Sequence, residues 1–175
     1  MDKKELAVEV FKSSHLTGDF LLRSGQRSNE YFDKYLFESD PKILTAIIKE
    51  MKLLIPKDIE VIAGLEMGGI PLVTALSIET GIASAFVRKS AKEYGTCKIA
   101  EGAEINGKNV CVIEDVVTTG GQIIKSAEEL KKRGAKIDTV LCAILRNPEA
   151  EAILAKEGLK LKSVLTMEFI KESAG

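Results

Sequence analysis

The sequence is poor in the residues that build several common catalytic centres. Among its 175 residues there is no tryptophan, one histidine (His15) and three cysteines (Cys97, Cys111 and Cys142). A single histidine cannot form a multi-histidine metal centre. Three widely spaced cysteines match neither a disulfide framework nor a zinc site. We therefore expect neither a Ser-His-Asp triad nor a transition metal bound by protein side chains.

An excess of one charge and a long apolar run are also missing. The chain carries 25 basic and 26 acidic residues, which gives a net charge of −1 at pH 7, whereas nucleic-acid binders usually have a basic excess. No segment approaches the roughly 18 apolar residues that a membrane span needs. The charged first residues lack the apolar run of a secretory signal. These features predict a cytoplasmic protein with no nucleic-acid or membrane partner.

Strand-like and helix-like segments alternate along the chain. Its length suggests one domain, residues 1–175, which is large enough to bury a core without disulfides. Apolar spacing predicts a helix after Asp40-Pro41, further helices over 2–15, 71–80, 121–133 and 149–156, and strands over 60–65, 82–88, 110–113, 137–145 and 159–166. This alternation indicates an α/β fold with a mostly parallel, twisted sheet flanked by helices. In such sheets, ligands bind beyond the carboxyl ends of the strands.

Residues 19–37 follow a different pattern. Their short apolar pieces are interrupted by Ser24-Gly25 and by Ser28-Asn29, which predicts a small hairpin or an extended excursion. Asp40 then favours an N-cap, with Pro41 in the first turn of the next helix.

The segment Val110–Gln122 (VCVIEDVVTTGGQ) is the most informative part of the sequence. Four apolar residues predict a buried strand, and the carboxylates of Glu114 and Asp115 follow it. A Thr-Thr-Gly-Gly turn, residues 118–121, then leads into a helix, so its main-chain N–H groups can point at one anion. Two neighbouring acids can accept hydrogen bonds from vicinal sugar hydroxyls. We interpret the segment as a binding site for a ribose 5-phosphate.

Two further segments should lie near this turn. Four basic residues (Arg88, Lys89, Lys92 and Lys98) fall between a strand and Gly102, in a polar stretch long enough to be a mobile lid over an anionic substrate. The glycine-rich segment Gly64–Pro71 offers either more N–H donors for phosphate or an ordinary turn, and its sequence favours neither.

These segments together resemble a known family. Val110–Gln122 resembles the phosphoribosyl pyrophosphate (PRPP) motif of the type I phosphoribosyltransferases. Arg88–Gly95, followed by Glu101-Gly102, is similar to the mobile catalytic loop of the orotate phosphoribosyltransferases. Gly18–Gly25, with Ser28 and Tyr31–Asp33, is similar to the orotate-side hood of that family. The resemblance covers nearly the whole chain and implies the type I phosphoribosyltransferase fold, with a small N-terminal hood formed mainly by residues 16–40.

The resemblance also implies an activity and a set of site residues. The ribose 5-phosphate of PRPP would pass to orotate, giving orotidine 5′-monophosphate and pyrophosphate in pyrimidine synthesis. The implied catalytic residues are Lys92, Arg88, Lys89 and Asp115. The implied PRPP-binding residues are Arg88, Lys89, Lys92, Tyr94, Glu114, Asp115, Val116, Val117, Thr118, Thr119, Gly120, Gly121 and Gln122, and the implied orotate-binding residues are Arg23, Tyr31, Phe32, Thr118 and Arg146.

The family further implies a cofactor and a partner. The cofactor is Mg²⁺, held mainly through PRPP rather than by a metal site of the protein. The partner is a second copy of the chain, because Lys92 reaches the neighbouring subunit's site in the family and a homodimer therefore shares its active sites. Two positions depart from the family pattern: Tyr94 stands where histidine is common, and Leu145 precedes Arg146 where aspartate is common.

Two other functions are compatible with parts of the sequence. The PRPP motif alone does not separate orotate from another nucleobase, such as a purine, although the hood motif and Arg146 favour an acidic pyrimidine. A regulator that binds PRPP without catalysis is the second alternative. The presence of Lys92, and a chain with no room for a DNA-binding segment, favour an enzyme over that regulator.

Overall fold

The computed structural model describes residues 1–22, 24–90 and 99–175, so three predicted site residues, Arg23, Lys92 and Tyr94, lie outside the described residues. The helices are α1 (Lys3–Ser14), α2 (Lys34–Ser39), α3 (Pro41–Lys52), α4 (Gly69–Thr80), α5 (Gly121–Lys132), α6 (Glu149–Lys156) and α7 (Met167–Ala174). The strands are β1 (His15–Leu21), β2 (Arg27–Phe32), β3 (Val61–Leu65), β4 (Ala83–Val87), β5 (Ala100–Gly102), β6 (Asn109–Val117), β7 (Lys136–Leu145) and β8 (Lys160–Thr166).

Six of the strands form one sheet in the order β5-β4-β3-β6-β7-β8. The pairs β3–β4, β3–β6, β6–β7 and β7–β8 are parallel, and only the short edge strand β5 runs antiparallel to its neighbour β4. The predicted α/β fold with a mostly parallel, helix-flanked sheet is thus confirmed. From the central pair, the chain continues outward in opposite directions, from β3 to β4 and from β6 to β7. The crevice between β3 and β6 is where an open α/β sheet binds its ligand.

Apolar side chains cover both faces of the sheet, as expected for parallel strands flanked by helices. On one face, Val112 belongs to a buried cluster with Leu130 of α5 and Leu154 of α6. On the other face, Ile113 belongs to a cluster with Ile47 of α3 and with residues of α1, α2, α4 and α7. Neighbouring residues of β6 therefore point into opposite cores, which holds this strand rigidly in the middle of the molecule.

Strand β6 is longer than the sequence predicted. We expected it to end at Ile113, with Glu114 and Asp115 beyond its end, but it continues to Val117 and both acids lie within it. Val116 and Val117 are β-branched, and they pair with Ile144 and Leu145 of β7, so the ladder extends past the charged pair. The acids therefore have the fixed backbone of a central strand.

The N-terminal excursion is a hairpin followed by a short helix. Strands β1 and β2 pair antiparallel in a separate two-stranded sheet. This agrees with the hairpin that the sequence suggested, although Ser28 and Asn29 lie inside β2, where Ser28 pairs with Phe20. Helix α2 was not predicted. Asp33 precedes it as the N-cap, and the Asp33 side chain accepts a hydrogen bond from the Tyr35 N–H.

Other boundaries agree more closely with the sequence. Asp40 caps α3 by accepting hydrogen bonds from the N–H groups of Lys42 at 2.8 Å and Ile43 at 3.2 Å, as its position before a proline predicts. Helix α6 has the predicted bounds. Strand β5 and helix α7 were not predicted. In the described part of the chain, no helix is both long and apolar enough to cross a membrane.

Two isoleucines on neighbouring helices test this arrangement of the core. Ile47 of α3 is fully buried, whereas Ile78 of α4 is 83% exposed. We expect Ile47→Ala to lower the free energy of unfolding by about 2–5 kcal/mol, because it removes buried methyl groups and leaves a cavity. Ile78→Ala is the matched control and should change it by less than about 0.5 kcal/mol. Urea unfolding measures both, and equal losses would contradict the packing.

Candidate active site

A cavity of about 750 Å³ opens at the carboxyl edge of the sheet, between the β1–β2 hairpin and the ends of β6 and β7. Its size is that of a site for a small molecule. Four residues predicted from the sequence to bind the base lie on its wall: Tyr31, Phe32, Thr118 and Arg146. The fold therefore brings together residues of the hairpin, the β6–α5 turn and the end of β7.

Arg146 is held at the cavity by its backbone. It follows directly after β7, and its N–H donates to the carbonyl of Val117 at 2.8 Å. Its guanidinium group lies 5.8 Å from the centre of the Phe32 ring, within the range of a cation–π contact. Leu145, which precedes it, is buried and pairs with Thr166 of β8. The site thus offers a forked cation beside an aromatic ring, which suits a planar anion.

The turn from Thr118 to Gly121 has the form of an anion site. Gly120 adopts a left-handed conformation (φ 80°), and α5 begins at Gly121. Among the described residues no side chain caps this helix start, and its first turn holds no acidic residue. The Gln122 amide instead donates to the Ser126 hydroxyl at 3.2 Å. The first N–H groups of α5 are thus available to an anion, as at many phosphate sites.

The acidic pair lies deeper than the sequence suggested. Asp115 is 1% exposed. Its Oδ1 accepts the Val116 N–H at 2.5 Å, and its Oδ2 forms an ion pair with the Lys34 ammonium group. Glu114 is half-buried and accepts the Asp115 N–H at 3.0 Å. From this segment, the cavity wall takes Val116 and Thr118 rather than either carboxylate.

Two charged residues of α2, Lys34 and Glu38, complete this cluster and were missed in the sequence. Lys34 lies on the cavity wall, and its Nζ contacts Asp115. Glu38 is 6% exposed, and neither of its oxygens has a hydrogen-bond donor among the described residues. Lys34 and Glu38 are four residues apart and both follow the cap Asp33. This spacing was the available signal, since residues four apart share one helix face. Their partner, Asp115 of β6, is distant in the sequence, so the spacing of Lys34 and Glu38 does not predict it.

Burial changes the protonation of this cluster. Burial and the negative charge of Asp115 raise the pKa of Glu38 from 4.5 to about 8. The same two causes raise the pKa of Glu114. Burial opposes the charge on Lys34, but the hydrogen bond and the charge of Asp115 outweigh it, so the pKa of Lys34 is raised. One lysine cannot neutralise three buried carboxylates, and a neutral Glu38 needs no cation.

The glycine-rich turn before α4 packs directly onto the acidic strand. A Cβ on Gly68 would lie 1.5 Å from Asp115 Oδ2, and one on Gly69 would lie 2.6 Å from the Ile113 carbonyl oxygen. Both positions therefore require glycine for close packing. This packing accounts for the glycines, and a role of the turn in binding phosphate stays a prediction.

The described basic residues of the lid segment lie at the same edge of the sheet but outside the large cavity. Arg88 and Lys89 follow β4, which strand β3 separates from β6. The Arg88 N–H donates to the Ile99 carbonyl at 2.8 Å, and the Lys89 N–H donates to Glu66 Oε1 at 2.5 Å. Their assignment to PRPP stays a prediction.

Comparison with known proteins identifies the family. Residues 38–170 match the phosphoribosyl transferase domain family. An orotate phosphoribosyltransferase of a Nocardioides species is 49% identical over 161 residues, which cover 92% of this chain and 90% of that protein. One from Methanocella arvoryzae is 38% identical over 160 residues, covering 90% of this chain and 91% of that protein. The chain belongs to the orotate phosphoribosyltransferase family.

Solved structures of this family share the fold. The orotate phosphoribosyltransferase of Mycobacterium tuberculosis in complex with Fe(III) dicitrate superposes with a TM-score of 0.87 at 31% identity, covering 97% of this chain and 99% of that one. The same enzyme in complex with PRPP gives a TM-score of 0.83 at 28% identity, covering 98% and 99%. An adenine phosphoribosyltransferase from Thermoanaerobacter pseudethanolicus, at 18% identity and a TM-score of 0.69, shares the fold alone. Base specificity must therefore be argued from the site.

The family implies a magnesium ion at this site. Within the described ranges, no group of three or more acidic, histidine or cysteine side chains could hold a metal ion. The charge beside Asp115 is already supplied by Lys34. Mg²⁺ commonly keeps several waters and binds through substrate phosphates, which requires no such group. The site fits an ion that arrives with the phosphates.

The raised carboxyl pKa values predict that stability depends on pH. A folded state that keeps a proton on Glu38 up to about pH 8 binds more protons than the unfolded chain, in which this group ionises near 4.5. The stability that the protonated Glu38 contributes is fully present below about pH 4.5 and is lost as the pH rises towards 8. We expect the stability of the parent to fall between about pH 5 and pH 8, by at most about 1.4 kcal/mol per pH unit from this group.

Glu38→Gln should make this fall shallower, because the amide cannot ionise. The matched control is Glu129→Gln, an exposed residue of α5 whose carboxyl pKa is lowered by Lys132, and it should keep the slope of the parent. Urea unfolding at a series of pH values measures the slopes. A Glu38→Gln curve parallel to that of the parent would exclude a protonated Glu38.

Proposed function

We propose that this protein transfers the ribose 5-phosphate of PRPP to orotate, giving orotidine 5′-monophosphate and pyrophosphate in pyrimidine synthesis. One observation carries the proposal above the others. Tyr31, Phe32, Thr118 and Arg146, which come from three separate parts of the chain, line one cavity beside the open start of α5. A base bound in this cavity and a phosphate bound at the helix start would be adjacent, as this reaction requires.

The phosphate end of the substrate is proposed to bind at the β6–α5 turn. Thr118, Thr119, Gly120 and Gly121 would donate main-chain N–H groups to the 5-phosphate. A Cβ on Gly121 would meet nothing nearer than Thr119 Oγ1 at 3.9 Å, so the space over the helix start is open. The positive end of the α5 dipole adds to the attraction. Val116, Val117 and Gln122 would shape the edges of this site.

The base is proposed to lie between the hairpin and Arg146. The Arg146 guanidinium group would pair with the orotate carboxylate through two parallel N–H donors. The rings of Tyr31 and Phe32 would cover the planar base, and Arg23 would complete this side. The position of Arg146 beside the Phe32 ring supports this arrangement.

The transfer itself requires charge compensation more than a strong base. As the bond from C1 of the sugar to pyrophosphate breaks and the orotate nitrogen forms the new bond, positive charge develops on the sugar and negative charge on the leaving group. Arg88, Lys89 and Lys92 are proposed to stabilise the pyrophosphate, with Tyr94 as a hydrogen-bond donor. Bound Mg²⁺ would add positive charge there. Glu114 and Asp115 would act at the sugar hydroxyls.

The remaining expectations concern the whole protein. We propose a homodimer in which Lys92 serves the neighbouring subunit's site, and one domain in which residues 16–40 form the hood. The separate two-stranded sheet of β1 and β2 supports the hood. A cytoplasmic location, where PRPP and orotate would be available, completes the proposal.

The base specificity can be tested directly. The parent should release pyrophosphate from PRPP with orotate in the presence of Mg²⁺, and not with adenine, hypoxanthine or uracil. Arg146→Ala should lower kcat/KM for orotate by roughly 30-fold or more, because a charged pair at the base loses one partner. Arg133→Ala, which removes an exposed arginine at the end of α5, should have no effect.

Two outcomes would point elsewhere. Turnover with a purine and not with orotate would make the protein a phosphoribosyltransferase for another base. PRPP binding without turnover of any base would favour a regulator.

A mixing experiment tests the shared active site. Lys92→Ala and Arg146→Ala proteins should each be nearly inactive. After mixing, unfolding and refolding in equal amounts, about a quarter of all sites should regain both residues if Lys92 acts on the neighbouring subunit. If Lys92 acts within its own subunit, no mixed site is complete and activity stays absent, which would contradict the proposal.

A further inference from the structure

Helix α2 places Lys34 and Glu38 against the same carboxylate. The two residues are one helical turn apart, and Asp115 of β6 faces both of them. Lys34 contacts Asp115 Oδ2, yet its side chain is 34% exposed and lies on the cavity wall. Asp115 is buried and does not lie on that wall. In this cluster, it is therefore Lys34 that faces a ligand in the cavity.

Asp115 fixes the position of the lysine. The Asp115 carboxylate is itself confined, because Gly68 packs so closely against its Oδ2 that a Cβ would not fit. Asp115 Oδ1 is held by the Val116 N–H. Glu38 is also buried, and its carboxylate oxygens have no hydrogen-bond donor among the described residues. An ammonium group has three N–H donors, and the contact with Asp115 leaves others for the cavity.

We propose that Lys34 is a sugar-contacting residue, which Asp115 and Glu38 position so that its ammonium group donates to the ribosyl hydroxyls of PRPP. The inference rests on the proposed function, because it assigns the sugar of PRPP to this part of the cavity. The Lys34–Asp115 pair is neutral as a whole. Lys34 therefore offers a hydroxyl group an N–H donor, without the net charge that would attract any anion.

The protonation state of Glu38 decides whether Lys34 is available to the ligand. The charged groups with the largest effects on it are Asp115 of β6, together with Lys34 and Asp33 at the start of its own helix. When Glu38 is neutral, Lys34 serves Asp115 and the ligand. When Glu38 ionises, a second buried carboxylate competes for the same ammonium group, so sugar binding should weaken.

Lys34→Met tests the contact, because it keeps the length of the side chain and removes its donors. We expect KM for PRPP to rise by about 10- to 100-fold, since the sugar loses its partner and its alignment, while KM for orotate changes by less than about 3-fold. The matched control is Lys52→Met, which removes the lysine of a surface pair with Glu79 and should leave both constants unchanged. Equal changes in the two KM values, or no change, would overturn the proposal.

Glu38→Gln tests the positioning and keeps the question answerable if Lys34→Met does not fold. At about pH 6 the variant should bind PRPP as the parent does. Towards about pH 9 the affinity of the parent should fall more steeply than that of the variant. A purely structural role of Glu38 would lower stability without separating these two pH profiles, and identical profiles would count against the positioning role.

Calorimetric titration with PRPP separates this inference from the proposed function. If the parent turns over orotate but Lys34→Met binds PRPP as tightly as the parent, the inference fails alone. If the parent turns over no base, the proposed function fails, and the PRPP affinities of the parent and Lys34→Met still decide whether Lys34 contacts the sugar.

Discussion

The parallel pairing of β3 with β6 is the constraint on which the rest of the site depends. Val61, Ile62, Ala63 and Gly64 pair with Val110–Ile113, and the turn after β3 presses onto β6 closely enough to exclude side chains. A Cβ on Gly64 would lie 2.5 Å from the Gly69 carbonyl oxygen. This close packing sets the depth of Asp115 and the direction in which β6 leaves the sheet. The positions of the Thr118–Gly121 turn and of the acidic pair then follow from one rigid strand.

The electrostatics of the site follow from that rigidity. A central strand cannot bend to bring its carboxylates to water, so Glu114 and Asp115 stay in surroundings that disfavour charge. A cation from another element is needed, and α2 provides it through Lys34. Because α2 directly follows β2, the β1–β2 hairpin and strand β6 are joined through the ion pair between Lys34 and Asp115. Movement of the hairpin would therefore shift Lys34 relative to Asp115 and change the charge around the acidic pair.

The sequence predicted most where local signals and long-range packing agree. Helix α6 was predicted to the residue, because Pro148 precedes it and Gly158 follows it closely, and the Asp40 cap of α3 was equally clear. The end of β6 was missed because two acids interrupt its apolar pattern, while the pairing that continues the strand comes from β7. Helix α2 has only six residues, too few for a periodic pattern.

For the site, the sequence identified the residues with motif spacing but not their surroundings. Tyr31, Phe32, Thr118 and Arg146, four of the residues predicted to bind the base, lie on one cavity wall. The burial of Asp115 and its pairing with Lys34 depend on the contact between β6 and α2. These two segments are distant in the sequence, and the motif in neither of them predicts the contact. The roles of these residues towards substrate stay predictions.

A crystal structure of the protein with PRPP and Mg²⁺ tests the central claim most directly. The account predicts the 5-phosphate on the main-chain N–H groups of Thr118–Gly121 and the ribosyl hydroxyls beside the acidic pair, with the pyrophosphate pointing away from Arg146. A phosphate-free turn, with the sugar phosphate bound elsewhere on the sheet edge, would contradict it.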